Sequence, residues 1–122
     1  NAQGSNGLEI ARELLTSDLK PTAVFAVTDH EAAFVAQAAA ELNLKVPRDL
    51  SIVGFADLDF AATMKPPLTT MRQKPHEIGR LAAKLIMDRI DGIIADDDAP
   101  TTIKVAADLI VRDSTAKPRA DK

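Results

Sequence analysis

The chain has 122 residues, 46% of them hydrophobic and 27% charged, with a formal net charge of -3 and no cysteine. That length fits one domain or a piece of one, and the apolar content is ordinary for a folded globular protein. The acidic balance and the lack of a basic stripe argue against a nucleic-acid-binding surface, which needs clustered Lys and Arg; the absence of cysteine excludes disulfides and thiolate metal sites and favours a reducing compartment.

No signal peptide is visible and no apolar stretch is long enough to span a bilayer, so no membrane partner is expected. A start at Asn1 rather than Met leads us to expect a piece of a longer protein. Residues 1–6 are polar and read as a loop. Asn6 and Glu9 have the spacing of a helix start, and Leu8, Ala11, Leu14 and Leu15 recur at helical spacing, which predicts an amphipathic helix over 7–16. Residues 22–27 form a short, continuous apolar run, β-branched and aromatic enough for a buried strand. At its end Thr28 and Glu31 have the spacing of a capping box, and Asp29 and Glu31 suit a helix N-terminus. An Ala-rich helix should follow and stop near Asn43, a residue that tolerates the left-handed conformation of helix ends.

The run Leu50-Ser51-Ile52-Val53-Gly54-Phe55 lacks polar alternation and therefore reads as a central parallel strand covered on both faces. Gly54 suits a close approach by a ligand or another backbone, and Asp57 and Asp59 begin where the strand stops. In an open parallel sheet, ligands bind in the crevice beyond the carboxyl ends of the strands, so the candidate site lies around Ala56 and Asp57. Residues 60–65 allow one or two helical turns, Pro66-Pro67 ends them, and 68–72 predicts a third strand. Pro75 sits at a helix first turn, with Ile78, Leu81, Ala82, Leu85 and Ile86 on one face and Gly92 just past the end. Asp96-Asp97-Asp98 and Pro100 mark an exposed loop. The alternation from Ile103 to Arg112 predicts a half-buried strand, or two in line with a bend, and 114–122 reads as a loose tail. The order is that of an α/β protein with a parallel sheet and flanking helices. So thin a sheet is expected to borrow strands from elsewhere in the protein or from another copy.

Four blocks, in order, resemble the C-terminal part of the effector-binding region of the LacI/GalR family of bacterial transcription regulators. They are Pro21-Thr22-Ala23-Val24-Phe25-Ala26-Val27-Thr28-Asp29, Val46-Pro47-Arg48-Asp49-Leu50-Ser51-Ile52-Val53-Gly54-Phe55, Pro66-Pro67-Leu68-Thr69-Thr70-Met71-Arg72-Gln73 and Ile78-Gly79-Arg80-Leu81-Ala82, and residues 109–115 look like the closing strand of that family. The resemblance implies a type I periplasmic-binding-protein-like fold, present in part and mainly as the C-terminal lobe. Residues 1–115 would be the C-terminal portion of the effector-binding domain. Within it, 1–72 and 108–115 would belong to the C-terminal lobe and 75–106 to the N-terminal lobe, with 116–122 a flexible tail. It further implies a cytoplasmic regulator that binds a small-molecule effector, forms a homodimer or higher assembly, and reaches DNA only through a helix-turn-helix outside this chain. The alternative is a periplasmic sugar-binding protein of an uptake system.

By this resemblance Thr28, Asp29, Ala56, Asp57 and Gln73 are the candidate effector-binding residues. Thr28 stands where relatives place Asn or Ser, although capping a helix is enough to explain it, and Asp29 is better suited to the helix N-terminus than to a ligand. Ala56 stands where sugar-binding and purine-binding relatives generally have Asp. Alanine accepts no hydrogen bond, which turns the expectation toward a less hydroxylated or anionic effector. Asp57 fits either loop capping or the site, and Gln73 either a crevice wall or an ordinary strand end. His30 and His76 share no ligand spacing, the Asp96-Asp97-Asp98 run lacks the Gly and terminal Glu of a calcium loop, and no nucleophile or phosphate loop stands out. No catalytic residue, metal site or cofactor is therefore expected. Apolar side chains at the start of the Ala-rich helix and over 58–64 read as a dimer face by resemblance, or as ordinary core.

Overall fold

A computed structural model describes residues 3–95 and 97–120. The chain forms two compact units, one of Asn1–Arg72 with Asp108–Lys122 and one of Gln73–Ala107. In chain order the elements are α1 (Gln3–Thr16), β1 (Ala23–Phe25), α2 (Asp29–Glu41), β2 (Ser51–Ala56), a 3-10 turn (Ala61–Thr63), β3 (Thr69–Arg72), α3 (Pro75–Ile90) and β4 (Asp108–Ile110).

The first unit carries a four-stranded sheet in the order β1-β2-β3-β4. β1, β2 and β3 run parallel, with Phe25 beside Val53 and Ala56 beside Arg72, so their carboxyl ends share one rim. β4 is antiparallel to β3, with Arg72 opposite Asp108. On one face, Val24 and Ile52 pack with Val35, Ala38 and Ala39 of α2 and with Ala11 and Leu15 of α1. Ala32, Ala38 and Ala39 of α2 are fully buried, and their small side chains let the helix lie close to the strands. Leu50, Ile52 and Leu68 are the largest buried apolar side chains. Each contributes roughly 1.5–3 kcal/mol by leaving water.

α1 begins earlier than its sequence pattern suggests and runs through Asn6 and Gly7, because Gly7 makes room for a ring: a Cβ there would lie 2.6 Å from Phe34 Cδ2. β1 also differs from expectation. It is an edge strand with helices on one face only, so Phe25 is 62% exposed and Val27 73% exposed instead of buried on both sides. An apolar run fits such a strand as well as an internal one, since composition does not record which neighbours are in place.

The tail expected to be loose is tied down as far as Ala116. Ser114 is 2% exposed; its Oγ donates to Ile52 O at 2.5 Å and accepts from Thr69 N at 2.8 Å, which joins β2 to β3. Ser51 Oγ accepts from Ala116 N at 3.0 Å, and Arg112 N donates to Thr69 Oγ1 at 2.9 Å. Ser51 and Thr69 on the strands and Ser114 in the segment that follows β4 thus form a cross-brace.

The second unit contains α3. Pro75 occupies its first turn, where no helical N–H partner is needed, and Gly92 just beyond it has φ +72°, a conformation glycine adopts without strain. No residue of α3 is buried. Ile78, Leu81, Ala82 and Leu85 line a groove of about 440 Å³ with Thr101, Thr102, Ile103 and Val105. The strand expected over 103–112 is present only at Asp108–Ile110. Residues 101–107 have no ladder partner among the described residues, and alternation without such hydrogen bonds does not make a strand. Among the described residues no helix is long and apolar enough to cross a membrane.

Replacing Ser114 by Ala would leave the Ile52 carbonyl and the Thr69 N–H buried without their partner. Urea unfolding of Ser114→Ala is expected to show a loss of about 1–3 kcal/mol, the cost of orphaned buried polar groups; an unchanged midpoint would refute the bracing role.

Candidate functional site

The rim at the carboxyl ends of β1, β2 and β3 brings four of the five expected residues into the first unit. Thr28 has extended backbone (φ -142°, ψ 169°) and caps α2, its Oγ1 accepting from His30 N at 3.2 Å. The same hydroxyl donates to Glu31, and this bond holds the Glu31 carboxyl below the usual carboxylate range. The capping residues read from the sequence are therefore engaged, with side chain meeting side chain where a full capping box would return Glu31 to the backbone.

Asp29 opens α2 and is wholly buried. Its Oδ1 accepts from Thr70 Oγ1 at 2.6 Å and its Oδ2 from Leu58 N at 2.7 Å. One carboxylate thus joins the helix, the third strand and the loop after the second. Gly54 is what admits it. A Cβ at Gly54 would overlap Asp29 Oδ1 and lie 2.9 Å from Leu68 Cδ2. The close approach at Gly54 is made by this side chain and not by the ligand or second backbone expected from the sequence.

Beyond Gly54 the chain turns sharply. Ala56 has φ +116° and Asp57 φ +56°, both in a region that L-residues rarely enter. The turn places the Asp57 carboxylate between two guanidinium groups: Oδ2 accepts from Arg72 Nε at 2.6 Å and Oδ1 from Arg112 Nη2 at 2.7 Å. Arg112 also donates through Nη1 to Leu68 O at 2.8 Å. The Asp57 side chain is 7% exposed. Burial pushes its pKa up, but the hydrogen bonds from Arg112 and Arg72 outweigh that and hold it below the ordinary value.

The five expected residues consequently fall into different situations. Asp29 and Asp57 spend their oxygens inside the first unit. Thr28 is committed to the helix start, and Ala56 offers a methyl group at a strained turn. Gln73 is exposed and begins the second unit. Thr70, Arg72 and Arg112, which complete both carboxylate clusters, were not singled out from the sequence. A threonine in a buried strand, an arginine at the end of β3 and another two positions past β4 were the available signals. Among the described residues no group of three or more His, Cys, Asp or Glu is placed to hold a metal ion. His30 instead packs its ring against Phe60, with centroids 5.3 Å apart.

Residues 2–115 match the family model of the periplasmic binding protein-like domain. The ribose operon repressor of Escherichia coli strain K12 is 40% identical over 86 residues, which is 70% of this chain and 26% of that protein. The PurR transcriptional repressor of Yersinia pestis bv. Antiqua is 34% identical over 116 residues, 95% of this chain and 33% of that protein. A LacI family transcriptional regulator from Enterococcus faecium, solved with bound ribose, superposes with a TM-score of 0.75 at 32% identity, covering 95% of this chain and 41% of that one. The chain therefore spans about a quarter to a third of the length of these curated relatives.

Two outcomes test the clusters. Gly54→Ala should displace Asp29 and cost about 1–3 kcal/mol in urea unfolding, the usual range for overpacking a filled interior; full retention of stability would show that the contact can relax. Because the Asp57 pKa is lowered on folding, its contribution is complete above the unfolded value near 4 and is lost as pH falls through the folded value. Wild type should lose stability more steeply than Asp57→Asn below about pH 4, and parallel acid profiles would count against the ion pairs.

Proposed function

The chain belongs to the periplasmic binding protein-like domain family, in the form found in the effector-binding region of LacI/GalR regulators, and on that premise we propose that it is the effector-binding portion of a LacI-type transcriptional regulator. A small metabolite binds beyond the carboxyl ends of β1, β2 and β3, with Thr28 and Ala56 facing it and Asp29 and Asp57 fixing the loop that carries Ala56. Gln73 is assigned to the ligand by resemblance alone. The protein acts by binding and not by catalysis. It works as a homodimer and reaches DNA through a separate helix-turn-helix.

The observation that carries this reading is the parallel register that ends β2 and β3 together at Ala56 and Arg72, next to a helix N-terminus at Thr28. Strand ends of this kind are where open α/β sheets take ligands. The mechanism is a shift in population: a metabolite that prefers one conformation of the rim favours it by its differential affinity, and the assembly passes the preference to the DNA-binding part. The E. faecium neighbour was solved with ribose, which supports a metabolite of similar size.

Thermal unfolding of the protein against a panel of sugars, sugar acids, sugar phosphates and nucleobases tests the proposal. A ligand that binds only the native state raises the melting temperature with the logarithm of its concentration, so at least one compound should do so without being consumed. A flat response across the panel, or turnover of the compound that binds, would defeat the reading.

A further inference from the structure

The rim of the first unit has spent its protected acceptors. Both Asp29 oxygens accept bonds in a wholly buried position, and both Asp57 oxygens are held by arginines with 7% of the side chain exposed. Thr28 donates to Glu31 and accepts from His30 N, and Ala56 has nothing to offer. Arg72 is the exception. It gives its Nε to Asp57, and that bond fixes the head of the side chain; yet 54% of the side chain stays exposed, with the two Nη groups at its outer end. A guanidinium only donates, and its fork matches two oxygens on one centre.

We propose that the ligand of this rim is an anion whose paired oxygens, on a carboxylate or a phosphate, are received by the Nη groups of Arg72 while the methyl group of Ala56 leaves space beside them. The inference rests on the effector-binding reading and names the ligand class for the same site. Asp57 is the positioning residue, since it aims the guanidinium without reaching the ligand. A neutral polyol would have to draw instead on Glu31 and Asp59, the exposed acids beyond the strand ends.

The test is a titration of the ¹⁵N-labelled chain, followed through the backbone amides of Ala56, Asp57 and Leu58 and the Nε–H of Arg72. The probes are matched sets: D-ribose, D-ribonate and ribose 5-phosphate, then D-glucose, D-gluconate and glucose 6-phosphate. An anionic member is expected to shift these signals at concentrations where its neutral parent does not, and the acid and ester arms tell carboxylate from phosphate. Arg72→Gln should weaken that binding roughly tenfold to a hundredfold, as loss of charge-assisted hydrogen bonds does. Arg72→Lys keeps the charge without the fork and should fall between the two; it also serves if the Gln variant fails to fold. A neutral sugar that binds as tightly as its acid, or an Arg72→Lys variant that binds the anion as well as wild type, overturns the inference and leaves the effector-binding reading standing. If no member of either set shifts the rim signals of the folded chain, this inference falls, and the effector-binding reading is decided separately by the wider thermal panel.

Discussion

A buried carboxylate governs the first unit. Asp29 brings a negative charge into the interior at the first residue of α2, and the cost is met locally by the Thr70 hydroxyl, by the Leu58 N–H and by the helix N-terminus. Hydrogen bonds to a charged group are worth about 1.5–3 kcal/mol each, comparable with the burial of one large apolar side chain in the same core. They also have direction, which apolar packing lacks. The carboxylate fixes where the helix begins, where β3 lies and how the loop leaves β2, and it requires that residue 54 carry no side chain.

Continuous apolar runs with clear punctuation made β2, β3 and the start of α2 legible in the sequence, and Pro75 with Gly92 marked the ends of α3. The parts that were not legible depend on neighbours that a linear pattern does not record. The run 22–27 has the composition of a covered strand, yet Phe25 is open because β1 has a single strand beside it. Residues 103–107 alternate like a strand and stay irregular, since a ladder needs two members. Ser114 looked like the start of a tail because one small polar residue among charges gives no sign that it will bridge two strands. At the site, the sequence marked the acids. Their partners lie 15, 41 and 55 positions away along the chain, which is beyond any local spacing rule.

The two units are stabilised on different principles. The first owns a core in which α1, α2 and the sheet bury one another, with its polar groups braced by Ser51, Thr69 and Ser114. In the second, α3 presents Ile78, Ile86, Met87 and Ile90 to solvent and buries no residue, although its caps and spacing are those of a well-formed helix. Helix signals and helix burial are separate properties: the former arise from the backbone and its ends, the latter from what lies against the face.

The arginines that share Asp57 stand at either end of an excursion. Arg72 is the last residue before the polypeptide leaves the first unit, and Arg112 comes four positions after it re-enters at Asp108. One carboxylate therefore knots the outgoing thread to the homecoming one. A proton taken up there would slacken both together, so departure and return behave as a single mechanical element, tightened or loosened from the turn that begins at Ala56.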